Sequence, residues 1–179
     1  MTQKILAAVA AFIVLFVVLI SLQKAEFSIE RSTLIEAPKE LIFLQVNNLR
    51  NMQDWAPWWS LDPEMRSEYS GPDEGLGSSF AWSGDQRIGM GSMTIIESIP
   101  YDHIQVRLNF KKPFEAVNIS SYSFTEVEGG VLVKWTMTGK NNFLNKLIGI
   151  FVNMDTLVGN DFEKGLSQLK SISEDLAKK

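Results

Sequence analysis

The sequence predicts an α+β protein in which a curved antiparallel sheet grips one long C-terminal helix. Two stretches and their order carry this expectation. Asn141–Ala177 sets Phe143, Leu147, Ile148, Phe151, Phe162, Leu166, Leu169, Ile172 and Leu176 at helical spacing. Residues 27–139 break into short segments of alternating apolar and polar residues that end in turn residues. The order is strand, two short helices, six strands, long helix, without the βαβ alternation of a parallel sheet. Connections of a few residues fit antiparallel neighbours. A long amphipathic helix after such strands buries its stripe on their sheet.

Ile5–Leu22 is eighteen residues without a charge. At 1.5 Å per residue it spans roughly 27 Å, enough for a bilayer core. A cleaved signal peptide is the competing reading. The run exceeds the usual apolar region of roughly 7–15 residues, and Ser21–Ala25 makes a poor cleavage site. No polar face marks it as a core helix. The expectation is a single-pass anchor and tether over residues 1–26 and one domain over 27–179. A four-residue tail before the run suits N-in insertion, with the domain on the extracytoplasmic side; the flanking charges are nearly tied.

Phe27–Glu36 alternates as a strand, with Phe27, Ile29, Arg31, Thr33 and Ile35 on one side. Pro38 suits the first turn of a helix over Lys39–Asn48. Trp55, Trp58 and Trp59 then crowd around Pro57, which no regular helix crosses cleanly, so a short helix near Arg50–Asp54 and an irregular aromatic turn are expected. Strands follow at Met65–Ser70, Ser78–Ser83, Gly89–Ile99, His103–Phe110, Asn118–Glu126 and Val131–Thr138, the last two joined by a Glu128-Gly-Gly130 hairpin. The C-terminal helix divides near Gly159, with Phe162–Leu176 as its packed half.

All 21 acidic residues and 16 of the 17 basic ones lie beyond the apolar run, a net −5 that argues against a nucleic-acid surface. No run of lysines flanks the anchor. With no cysteine and one histidine, disulfides, thiol nucleophiles and His/Cys metal sites are excluded, and no metal or cofactor is expected. Gly84, Gly89 and Gly91 form no phosphate loop. His103 begins a strand after a turn and reads as a surface residue rather than a catalytic base.

Several pieces, in order and spacing, resemble the START/Bet v 1-like (SRPBCC) superfamily, and more closely its polyketide cyclase/dehydrase-like branch. They are Glu30-Arg-Ser-x-x-Ile-x-Ala-Pro38, Asn47-Asn-Leu-Arg-Asn-Met-x-x-Trp-x-Pro-Trp58, Asp62-Pro63, Tyr69-Ser-Gly-Pro72, Gly89-x-Gly-Ser-Met-Thr94, Val133-x-Trp135 and Asp161-Phe-Glu-Lys-Gly-Leu166. The resemblance implies a helix-grip fold with an apolar cavity between sheet and C-terminal helix. In such relatives the cavity takes lipids, sterols, polyketides or hormones, and a minority catalyse cyclisation or dehydration. Fold alone does not fix which.

Strand parity then nominates the cavity. Its walls would be Trp82, Met93, Ile95, Val106, Leu108, Phe124, Val133, Trp135 and Phe151. Trp55, Trp58 and Trp59, with Tyr69, would form a lid or a structural plug. Arg31, Glu97, Tyr122 and Asp155 would be its polar contacts, unless a bulge turns Glu97 or Arg31 outward or Asp155 lies on a solvated face. The function expected is a membrane-tethered binding domain for a small hydrophobic or amphipathic ligand. The alternatives are a cyclase-like enzyme using Asp155 or Glu97, and an interaction domain whose cavity its own side chains fill. The membrane is met through Ile5–Leu22; the sequence names no protein partner.

Overall fold

The computed structural model describes residues 2–141, 143–149 and 153–179. The apolar run forms helix α1 (Thr2–Ser21). The domain begins at once with β1 (Glu26–Ile35) and α2 (Lys39–Asn47), followed by two 3-10 turns at Asn51–Asp54 and Pro57–Leu61. Strands β2 (Arg66–Ser70), β3 (Ser79–Ser83), β4 (Met90–Ile99), β5 (His103–Lys112), β6 (Ala116–Val127) and β7 (Gly130–Lys140) come next. Helices α3 (Phe143–Ile148) and α4 (Met154–Ala177) complete the chain. This is the helix-grip architecture: a seven-stranded antiparallel sheet and a long C-terminal helix.

The strand order is β1-β7-β6-β5-β4-β3-β2. Strands β2 to β7 are a meander, while β1 returns to pair with β7. Strands β1 and β2 are therefore opposite edges, and residues 36–65 must travel from one edge to the other. That crossing carries α2 and both 3-10 turns over the inner face. It explains why Trp55 is fully buried, edge-on to Trp135 with ring centroids 5.5 Å apart. Its indole N–H donates to the Gln45 carbonyl at 3.0 Å, closing the end of α2 onto the following turn.

Period-2 patterning buries one face of the sheet. Ile104, Val106 and Leu108 on β5, Tyr122 and Phe124 on β6, and Val131, Val133, Trp135 and Met137 on β7 all point inward. Helix α4 seats Phe162, Leu166 and Leu169 on this face. Burying each such side chain contributes about 1.5–3 kcal/mol.

The C-terminal stretch breaks earlier than its sequence suggests. The division lies between α3 and α4, where the Asn153 side chain accepts a hydrogen bond from the Thr156 backbone N–H at 3.2 Å and starts α4. Gly159 lies inside the helix, and its reason is steric. A Cβ there would collide with Nη2 of Arg31, whose guanidinium lies over that turn. Asp155 and Glu163, four residues either side of Gly159 on the same helix face, both bind it, at 3.1 Å and 2.7 Å.

Two further bonds fasten α4 to the edge strand. Lys170 Nζ donates to the Leu34 carbonyl at 2.7 Å, and the Glu36 backbone N–H donates to Glu174 at 3.0 Å. These satisfy backbone groups that an open edge would offer to another chain. The other edge, β2, is five residues long and carries Arg66 and Glu68.

Among the described residues, helix α1 meets the domain at its end. Ile20 is buried, Lys146 of α3 donates to the Ser21 carbonyl at 3.0 Å, and Asn141 N–H donates to the Ala25 carbonyl at 2.8 Å.

Gly165 tests how tightly α4 is seated. A Cβ there would lie 2.9 Å from the Trp135 ring and 3.3 Å from the Pro57 ring, neither of which can bend away. Alanine is the better helix former by about 1 kcal/mol, but overpacking costs about 1–3 kcal/mol. Gly165→Ala is expected to lower the Tm in calorimetry; an increase would contradict the close seating.

Candidate functional site

The inner face, the crossing segment and α4 enclose a void of about 20 Å³. Met52, Ala56, Trp58 and Trp59 from the crossing segment cover it. Met93, Val106, Leu108, Trp135 and Met137 from the sheet, with Phe162 from α4, form its apolar walls. Room for one water takes about 10–15 Å³, and ligand pockets run to about 300–1,000 Å³. The space is thus far smaller than a ligand pocket in this conformation. A second apolar space of about 10 Å³, half open to the surface, lies beside it among Met65, Phe80, Trp82 and Ile88, and the two share Trp58, Trp59 and Met93 as a common wall.

Among the described residues, Ser120 and Tyr122 are the two that bring side-chain hydroxyls to the first void. They stand two apart on β6 and so face the same side. Ser120 Oγ accepts the Trp135 indole N–H at 2.7 Å. Burial raises the Tyr122 phenol well above its ordinary value of 10, while a hydrogen bond to Ser120 acts in the opposite direction.

Aromatic rings close the top. Trp135 and Phe162 are nearly parallel at 3.9 Å between centroids, and Trp58 lies parallel to Trp135 at 5.5 Å. Trp59 packs on Phe80 at 5.0 Å. Both Trp58 and Trp59 are half-buried, and the five-residue turn that carries them has no buried residue. Tyr69 stands outside, under the Arg50 guanidinium at 4.2 Å, with a hydrogen bond from Gln53.

The sequence candidates therefore separate. Trp58, Met93, Val106, Leu108, Tyr122 and Trp135 line the first void, and Trp82 lines the second. Trp55, Ile95, Phe124 and Val133 are buried core that reaches neither. Phe151 lies outside the described residues.

Three polar candidates are placed elsewhere. Glu97 is turned from the cavity because the register with β5 shifts between Ile95 and Glu97; it is 44% exposed and lies 3.7 Å from His103 Nε2. Asp155, in the first turn of α4, is 59% exposed and faces Arg31. Arg31 shares the inner parity of β1, and its charge is taken up by Asp155 and Glu163 rather than by Glu97 or the cavity.

Trp59, expected with Trp58 in the lid or plug, lines the void, as do residues that sequence reasoning does not nominate: Met52, Ala56, Ser120, Met137 and Phe162. Parity with Tyr122 and Trp135 is the available signal for Ser120 and Met137. Among the described residues, no group of three His, Asp or Glu side chains could hold a metal ion.

This fold is that of the Bet v 1-like and polyketide-cyclase proteins. The chain is similar to the di-domain ARO/CYC StfQ from the steffimycin biosynthetic pathway, with TM-score 0.61 and 10% identity over 87% of this chain and 53% of that one. It is similar to ginseng major latex-like protein 151 from Panax ginseng, with TM-score 0.60 and 12% identity over 84% and 99%. It is similar also to Aha1 from Colwellia psychrerythraea, with TM-score 0.58 and 15% identity over 83% and 96%. No family model and no curated protein matches the sequence. At these identities the likeness is one of fold.

Tyr122 gives the site a pH signature. Because its folded pKa lies above the unfolded value, its contribution to stability is complete below about pH 10 and is lost as pH rises beyond that. In an ultraviolet titration of the phenols, Tyr122 is expected to ionise last, together with unfolding. Tyr122→Phe should remove that late step; an unchanged step would place the phenol in water.

Proposed function

We propose that the chain is a membrane-tethered binding domain that takes one small apolar or amphipathic molecule between its sheet and α4. Trp58 and Trp59 close the site when it is empty. One observation carries this reading: two small apolar spaces whose common wall is Trp58 and Trp59 of a short, half-buried turn together with Met93 of β4. If that turn swings out, the voids join and the volume of two indoles is added. The Ser120–Tyr122 hydroxyls then provide a polar anchor on an otherwise apolar floor, as small-molecule pockets commonly have. The tether is α1, which is long and apolar enough to cross a bilayer. The fold supports the reading as well, since the structures that share it include the ARO/CYC protein StfQ and a ginseng major latex-like protein.

The void's small volume favours a second reading, an interaction domain with a filled core. A cyclase reading is weaker, because neither Asp155 nor Glu97 borders the void.

Crosslinking separates the readings. The full-length protein in detergent would be irradiated with a diazirine-bearing fatty acid and the adducts mapped by peptide mass spectrometry. Adducts are expected on β5–β7, around Val106–Leu108 and Tyr122–Trp135. The Trp58→Ala/Trp59→Ala variant removes the closed state's advantage and should raise apparent affinity by about tenfold. Adducts confined to α1 in both proteins would leave the filled-core reading. Circular dichroism would confirm that the variant is folded.

A further inference from the structure

No run of basic residues flanks α1 in sequence, yet the fold assembles one in space. Lys24 leaves α1 directly. Lys140 ends β7 opposite Glu26, the first residue of β1. Phe110 pairs with Ala116 and Asn118 with Gly139, so the Lys111–Glu115 turn lies beyond Lys140 along the strand axis, on the α1 side. Lys24, Lys111, Lys112 and Lys140 are all exposed. With Lys146, which bonds the end of α1, they make five lysines at this end of β1, β7, β6 and β5. Among the described residues of these four strands and their turns, Glu26 and Glu115 oppose them, and the β3–β4 turn beside Lys112 adds Asp85, which is paired with Arg87, and Asp62.

The other end of the same strands is acidic, with Glu36, Asp102, Glu126 and Glu128 exposed. Along β1, β7, β6 and β5 the charge is therefore polarised, lysines toward the anchor and carboxylates away from it, with Lys170 of α4 beside Leu34 at the acidic end.

Apolar tips accompany the lysines. Phe114, at the end of the β5–β6 turn, is 51% exposed, and Phe143, at the start of α3, is 48% exposed. An aromatic ring beside lysines is the composition of a surface that meets lipid headgroups and the upper acyl region together.

We infer that this lysine-rimmed end, tipped by Phe114 and Phe143, docks on an anionic phospholipid surface and sets the domain's orientation on the bilayer. The inference rests on the reading that α1 lies in the membrane. The occupant follows from continuity and charge. Four residues separate Ser21 from β1, and Asn141 and Lys146 bond the segment that leaves α1, so this end cannot move far from the headgroups. Its excess positive charge is attracted to anionic lipid, and the acidic end is repelled from it.

The chain has no cysteine, so single labels can be placed cleanly. Full-length protein would be reconstituted in anionic or neutral bilayers carrying nitroxide lipids. A fluorophore would be attached through Phe114→Cys, Val127→Cys at the far hairpin, or Val14→Cys within α1. Quenching at 114 is expected to exceed that at 127 by about threefold in anionic bilayers, and to fall in neutral bilayers and at high salt. Replacing Lys24, Lys111, Lys112 and Lys140 with Gln should reduce it likewise; these exposed positions leave the core untouched. Equal quenching at 114 and 127, with 14 quenched, would overturn docking and leave the anchor standing. Quenching at 114 that ignores lipid charge would also overturn the proposal. An unquenched label at 14 would remove the anchor and the docking with it.

Discussion

Trp135 is the point on which the fold turns. Its ring lies flat on Phe162 of α4 at 3.9 Å, faces Trp58 of the crossing segment at 5.5 Å, and meets Trp55 edge-on. Its N–H is bound by Ser120 on the neighbouring strand. Sheet, helix and crossover thus share one side chain, and a buried indole holds this position well only if its N–H is satisfied. The small residues nearby follow from it. Gly165 lets α4 approach the ring, and Ser120 supplies an acceptor without filling the void.

The second constraint is the edge strand. In this topology β1 has only β7 as a partner, and its outward backbone groups need cover. Helix α4 provides it at the Leu34 carbonyl and the Glu36 N–H, and the Arg31 side chain fastens the strand to the helix beside them. The Arg31 contact needs a glycine inside the helix, which ordinarily costs stability relative to alanine. Here Gly159 gives the guanidinium a place between two carboxylates. Asp155, a candidate acid when read in sequence, thus becomes part of the helix clamp.

Much of this is legible in the amino-acid sequence. Alternation places the strands, and parity puts Arg31, Tyr122, Phe124 and Trp135 on the inner side. Pro57 and the tryptophans mark the irregular crossing. What fails depends on information that periodicity does not carry. Parity misplaces Glu97 because one register shift reverses it, and no residue type between Ile95 and Glu97 announces that shift. A glycine inside an apolar run looks like a helix terminus, so the break reads as Gly159, whereas this glycine serves a contact with a residue 128 positions away. The void's size is not readable at all. It is a small difference between large packed volumes, decided by whether Trp58 and Trp59 lie in or out.

That difference also governs how such a domain could be selective. With the indoles in, Trp58 covers Trp135 and Phe162; with them out, those faces need another apolar partner or water. A ligand is therefore favoured only by the surface it covers beyond what Trp58 and Trp59 already cover, together with any bond it gains at Ser120 or Tyr122. Small apolar molecules gain little over the closed state, because they replace one stacked ring with another. Larger ones that also fill the second void around Trp82 and Met65 gain contacts the closed state never makes. Differential burial of this kind shifts the equilibrium by its own free energy and no more. It makes length and shape, rather than charge, the property on which the cleft would discriminate.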